Sequence, residues 1–283
     1  MNLQDLRIPI GEWVDAMVDW LTVNLEWMFD GIAEILGSLI DALEMALQWP
    51  PALVTIAILA LIALFARNWK FGLFTALSFG LIATMGQWEA AMSTLALVLV
   101  ASVLAVLIGL PLGIIAARNQ TFSSILRPLL DFMQTMPSFV YLIPAIIFFG
   151  IGKVPGVVAT IVFSMPPGAR LTELGLRQVD AEVVEAGEAF GASPTKILTR
   201  VQIPLALPTI MAGVNQVIML ALSMVVIAGI VGAGGLGAEV FRGVTRLNVG
   251  LGFEGGLSVV IVAVFLDRIT SAFGSKASSR TSK

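Results

Sequence analysis

The chain of 283 residues has no cysteine and no histidine, and only 12% of its residues are charged. Without cysteine there is no disulfide, and without cysteine or histidine the common zinc ligand sets are missing. Serine–histidine catalysis and histidine proton relays are excluded on the same ground. No metal site and no catalytic residue is therefore expected. A soluble domain carries about 25% charged residues, so a share this low means that most of the surface does not face water. The net charge of −3 gives no electrostatic reason to bind nucleic acid. No G-x-x-x-x-G-K-[ST] loop occurs, so any ATP hydrolysis that drives this protein belongs to another chain. The first thirty residues carry one basic residue, Arg7, and no clean apolar core, so no cleavable signal peptide is expected.

What the chain does have is apolar sequence: 58% of it is hydrophobic and the mean hydropathy is +0.95. Runs near 20 apolar residues match a bilayer core about 30 Å thick. Seven stretches read as spans: 49–66, 71–88, 91–117, 129–150, 154–169, 205–230 and 250–269. The expected fold class is an all-α membrane protein with about seven transmembrane helices and an N-terminal amphipathic surface helix. Arg67 to Lys70 reads as a tight basic turn, Arg118 to Arg127 as a polar loop, and 274–283 as an irregular Ser/Lys-rich tail. Pro137 and Pro144 break the fourth stretch. The expected units are an extension at 1–48, two accessory helices at 49–88, a core at 91–272 and a tail at 273–283.

Residues 13–47 differ from the rest. Met17, Leu21, Leu25, Met28, Ile32, Ile35, Leu36, Leu39 and Leu43 recur at helical spacing, with Asp19, Glu26, Asp30, Glu34, Asp41 and Glu44 on the other side. Such a helix lies in an interface rather than spanning, because spanning would bury its carboxylates. Orientation follows from the basic residues. With residue 1 outside and seven spans, twelve of the sixteen Lys and Arg are cytoplasmic, and only Arg7, Lys153, Arg242 and Arg246 are outside. The acidic helix then lies outside, away from the anionic inner leaflet.

The stretch 170–204 is too polar to span and too regular for a linker. Val184, Ala186, Ala189 and Phe190 fit a short helix. Gly191 suits a left-handed turn at its end. Ser193 and Pro194 then read as the N-cap and first position of a second helix. The result is a helix–glycine–helix elbow between two spans, shaped to present a short rigid knob to a partner.

Glu185–Ala186, Gly191, and the exit Ile203–Pro204–Leu205 with Pro208 resemble the EAA loop of bacterial ABC importer permeases. Gln134 to Tyr141, Met165–Pro166–Pro167, Gly213 to Gln216 and Gly232 to Gly237 are similar to the glycine betaine/proline permeases of osmoprotectant importers. The resemblance implies a type-1 ABC importer transmembrane fold in the bacterial inner membrane. It also implies that Glu185, Ala186, Gly191, Ala192, Ser193 and Pro194 couple to a separate ATPase, with Pro204 and Pro208 at the loop exit. The implied partners are two copies of that ATPase, which bind ATP and magnesium, an extracytoplasmic substrate-binding protein, a second copy of the permease, and membrane lipid. No cofactor is implied on this chain, which is not itself an enzyme. The implied substrate is glycine betaine, proline betaine or proline, moved by alternating access. An aromatic cage for a quaternary ammonium would sit on the binding protein, since this chain has one tyrosine and its tryptophans lie outside the core.

Polar residues inside spans are candidates for the path: Gln134, Tyr141, Asn215 and Gln216. Asp131 near Arg127 reads as an interfacial carboxylate, and Asp267–Arg268 as a boundary ion pair. Gly232, Gly234 and Gly237 satisfy G-x-G-x-x-G, but a membrane helix precedes them, so they read as a turn and not a dinucleotide site. The alternative on substrate is a choline or carnitine importer of the same class. The alternative on mechanism is an ATP-independent secondary transporter, which would show internal repeats or carboxylate-rich spans; neither is present.

Overall fold

The computed structural model describes residues 9–281, with side chains through Ala272. Arg7 and Lys283 of the charge count lie outside the described residues, as do the side chains of Lys276 and Arg280. The described residues form helices and turns with no strand. The helices are α1 (Ile10–Asn24), α2 (Glu26–Gln48), α3 (Ala52–Ala66), α4 (Trp69–Thr84), α5 (Trp88–Arg118), α6 (Gln120–Thr135), α7 (Leu142–Phe149), α8 (Lys153–Arg177), α9 (Ala181–Ala189), α10 (Pro194–Ile197), α11 (Ile203–Ala228), α12 (Gly235–Thr245) and α13 (Val249–Thr281).

Six of the seven apolar stretches read from the sequence each fall on one helix, and the fourth, 129–150, is divided between α6 and α7. Four helical stretches are long and apolar enough to cross a bilayer alone: α5, α8, Pro194–Val231 and α13. Two further candidates are bent pairs, α2 with α3 at 100° and α6 with α7 at 108°. The remaining apolar helix, α4, has 16 residues and is therefore about 24 Å long. It pairs with α3, and Asn68 caps it by accepting from the Phe71 N–H at 2.9 Å.

Several boundaries differ from the sequence reading. The polar loop after α5 shrinks to Asn119, whose side chain accepts from the Phe122 N–H at 3.0 Å and starts α6 at once. The acidic stripe is two helices, because Asn24 turns its side-chain amide onto the Trp20 carbonyl at 2.7 Å, a local bond that competes with helix continuation. The tail from 274 continues α13 to Thr281, since no proline interrupts it.

The bend between α6 and α7 follows from Pro137. Proline disfavours helical geometry in the residue before it, and Met136 is extended at ψ 135°. Proline also lacks the N–H that would bond the Met133 carbonyl four residues back. The Tyr141 hydroxyl donates to that carbonyl instead.

The centre is a trio of α5, α8 and α11, with α13 packed on α11. Its buried side chains include Leu95, Leu97, Val98, Val217, Leu222 and Val262. Backbones approach closely where side chains vanish. A Cβ at Gly113 would lie 2.4 Å from the Ala169 carbonyl oxygen and 2.6 Å from Thr172 Cβ. The Gly109-Leu-Pro-Leu-Gly113 pattern is thus a packing seam between α5 and α8. Asn215 and Thr270 join α11 to α13: Thr270 Oγ1 donates to Asn215 Oδ1 at 2.7 Å, and Asn215 Nδ2 donates to Asp267 Oδ1 at 3.2 Å. The buried N–H of Leu236, at the start of α12, donates to Thr94 Oγ1 of α5 at 2.8 Å.

The amphipathic helix α2 turns sharply against α3, so with α3 upright it lies roughly in the membrane plane. Leu36 and Ile40 are its buried residues. Lys153, at the start of α8, donates to Asp41 at 2.9 Å and to Glu44 at 2.6 Å. Phe29 stacks on Phe148 with ring centroids 4.5 Å apart. The helix therefore braces the α7–α8 junction.

Gly113→Val should separate α5 from α8, since overpacking a fitted seam costs about 1–3 kcal/mol and more where backbone blocks relief. The purified chain in detergent should unfold at lower temperature than one carrying Gly80→Ala, where a Cβ meets nothing within 4 Å.

Candidate functional site: the elbow and its charged stem

The last eight residues of α8 were read from the sequence as the start of a polar stretch. They are helical because each charge has a partner. Arg170, Glu173 and Arg177 fall at i, i+3 and i+7, on one face. Glu173 is 3% exposed. It accepts from Ser123 Oγ at 2.7 Å, Arg127 Nη2 at 2.9 Å and Arg177 Nε at 2.8 Å. Arg177 also donates from Nη2 to the Ala116 carbonyl at 2.8 Å. One carboxylate thus ties α8 to α6, and its Arg177 partner ties α8 to the end of α5. A buried carboxylate is tolerable only with this many donors. Beside it Arg170 pairs with Asp131, so Asp131 meets α8 and not its helical neighbour Arg127. Arg127, Asp131, Arg170, Glu173 and Leu174 line a cavity of about 320 Å³.

Beyond Arg177 the chain turns at Gln178 to Asp180 into α9, and Asp180 caps it by accepting from the Glu182 N–H at 2.9 Å. No residue of α9 is buried. Its last turn closes with Gly191 at φ +75°, a conformation open to glycine at little cost. The Gly191 N–H donates to the Glu188 carbonyl at 2.8 Å, and the Ala192 N–H to the Gly187 carbonyl at 3.1 Å. Space around Gly191 is open, with nothing within 4 Å of a Cβ built there, so the constraint is conformational. Phe190, just before it, is 92% exposed.

Ser193 stands at the N-cap of α10 with extended backbone and Pro194 at the first position, though the Ser193 hydroxyl makes no capping bond. Ile197 and Leu198 are buried and anchor the elbow. A π-helical turn, Leu198–Gln202, carries α10 into α11. Pro204 lies in the first turn of α11, directly after the π-helical turn, and Pro208 lies further inside the helix. Glu185, Ala186, Gly191, Ser193 and Pro194 are all exposed, and Ala192 is half-buried.

The four polar candidates for a path are not gathered at this cavity. Tyr141 is buried on the Met133 carbonyl, and Asn215 is engaged with α13. Gln134 and Gln216 are exposed on α6 and α11. Asp267 and Arg268 lie 3.8 Å apart as the expected boundary pair. The stem was not singled out from the sequence. Its signal was the Arg170, Glu173, Arg177 spacing, which a hydropathy reading treats only as the end of a span.

Residues 109–279 match the family described as binding-protein-dependent transport system inner membrane component. The chain is 48% identical to the glycine betaine transport system permease protein OpuAB of Bacillus subtilis, over 97% of both chains. It is 49% identical to the glycine betaine/proline betaine transport system permease protein ProW of Escherichia coli, over 96% of this chain and 77% of ProW. Its fold is similar to a chain of the MetNI methionine ABC transporter in an inward-facing conformation. That match has a TM-score of 0.60 and 24% identity, over 68% of this chain and 95% of the other.

Removing Glu173 tests the stem. Glu173→Ala should lower stability by about 2–3 kcal/mol, less than for a fully buried pair because the exposed side of Arg127 can rehydrate. Thermal unfolding of the purified chain reads this directly. Arg242→Ala, which removes the half-exposed partner of Glu239 within one helix, should shift the midpoint much less.

Proposed function

Because the chain belongs to the family of binding-protein-dependent transport system inner membrane components, we propose that it is the permease subunit of an ATP-driven importer of glycine betaine or proline betaine. The names of its relatives support the substrate. The composition supports the division of labour, since the chain carries no ATP-binding loop of its own. In this reading two ATPase copies bind and hydrolyse ATP, a separate extracytoplasmic protein delivers the substrate, and two permease copies enclose one path. The inner end is the elbow end, as the asymmetry of basic residues favours.

The observation that carries the mechanism is the elbow. An α9 with no buried residue, a left-handed Gly191 and a short α10 present a knob whose two arms run into different parts of the core. One arm is α8, pinned by Glu173 to α6 and, through Arg177, to α5. The other is the stretch Pro194–Val231, helical without interruption. ATP binding closes the ATPases, the knob follows, and both arms tilt as rigid bodies between outward- and inward-facing states. Glu185, Ala186 and the turn from Gly191 to Pro194 form the docking surface, while Pro204 and Pro208 shape the return into the core. This chain performs no covalent chemistry.

Gly191→Val tests the coupling. A β-branched residue at positive φ costs about 1–2 kcal/mol locally and re-aims the knob. Cells should keep normal permease levels and lose osmoprotectant uptake, and the purified complex should hydrolyse ATP without transport. Unchanged uptake would remove the elbow from the mechanism. Uptake of labelled choline or carnitine in preference to glycine betaine, by the importer assembled with its own binding protein, would correct the substrate.

A further inference from the structure

The cavity beside the stem has a charge pattern that the coupling role does not use. Glu173 is saturated by Ser123, Arg127 and Arg177, so that half is fixed. The other half is Asp131 and Arg170. Their side chains are 63% and 35% exposed, and they pair with each other. Arg170 Nε is shielded from solvent and has no hydrogen-bond partner. An exposed pair costs little to open, whereas the Glu173 half is costly to break. Opening the pair leaves one cation and one anion side by side on the cavity wall. A molecule carrying both charges matches both at once, and the planar guanidinium can pair with a carboxylate through two donors. The cavity's 320 Å³ is at the small end of ligand pockets, which run from about 300 Å³.

We infer that the Asp131–Arg170 pair is a binding site for a small zwitterion, with the ligand's carboxylate on Arg170 and its ammonium group on Asp131. The inference rests on the importer reading, in which the elbow end is the exit. The site would hold the transported zwitterion briefly before release, and the re-formed ion pair would close behind it. The fixed half keeps α6 and α8 together while the other half opens.

The chain has no cysteine, so Leu174→Cys places one thiol on the cavity wall. The importer assembled with its ATPase in nanodiscs is treated with a water-soluble maleimide, and labelling of this chain is followed by mass spectrometry. Millimolar glycine betaine should slow labelling several-fold, while choline or acetate, alone or mixed, should not. Asp131→Asn or Arg170→Gln in the same background should abolish the protection. A second readout needs no substitution: saturation-transfer NMR should reach the N-methyl protons of glycine betaine from the unmodified chain and fail with Asp131→Asn. Absent protection together with absent transfer overturns the site, as does equal slowing by choline and acetate. Uptake of labelled glycine betaine by the same unmodified importer in proteoliposomes separates the two claims. Uptake without binding refutes the site alone, and binding without uptake refutes the transport reading alone.

Discussion

A carboxylate that is almost wholly removed from water has to be neutralised within the protein, and Glu173 organises the elbow end of the bundle for that reason. Its donors come from three places in the sequence: Ser123 and Arg127 on α6, and Arg177 one turn further along α8. Meeting them sets the distance between α6 and α8. The second bond of Arg177, to the Ala116 carbonyl, brings in the end of α5. The Gly113 seam lets α5 and α8 approach closely enough for that bond to form. The stem that enters the elbow is therefore held by charge at one level and by backbone proximity one turn away.

In the proposed mechanism the elbow depends on this rigidity. A knob transmits displacement only if its attachments do not yield. One attachment is the ion-paired stem, and the other is the uninterrupted helix through α11. Between them a single glycine at positive φ sets the direction of the knob. At the far end Lys153 holds α2 by its ion pairs with Asp41 and Glu44, and at the bend the Tyr141 hydroxyl takes up the Met133 carbonyl that Pro137 leaves without its N–H. Helices that break within a bilayer need such partners, because no water is present to replace a lost backbone bond.

The helices were legible in the sequence because bilayer hydropathy is a strong, length-defined signal. The elbow was legible because glycine and proline mark backbone geometry directly. The ends were less so. Hydropathy treats Arg170, Glu173 and Arg177 as water-facing, and only three dimensions reveal that Glu173 meets Ser123 and Arg127 some fifty residues away on α6. Likewise Asn119 acts as a cap inside what reads as a polar loop, and Asn24 splits what reads as one continuous stripe. Tyr141 and Asn215 looked like path residues because a polar group inside a span draws attention. In the structure one also relieves a proline break and the other also joins two helices, contacts that depend on neighbours which spacing alone does not identify.

The central claim is mechanical: the elbow and α6 move together because the stem joins them. Spin labels on Glu188→Cys and Ser124→Cys, both exposed positions, measure that directly by double electron–electron resonance in the assembled importer. ATP binding should leave the distance between these two positions within one chain unchanged, while the distance between the two copies of position 188 shortens. A change within the chain as large as the change between copies would contradict the account, because the knob would then be moving without its stem.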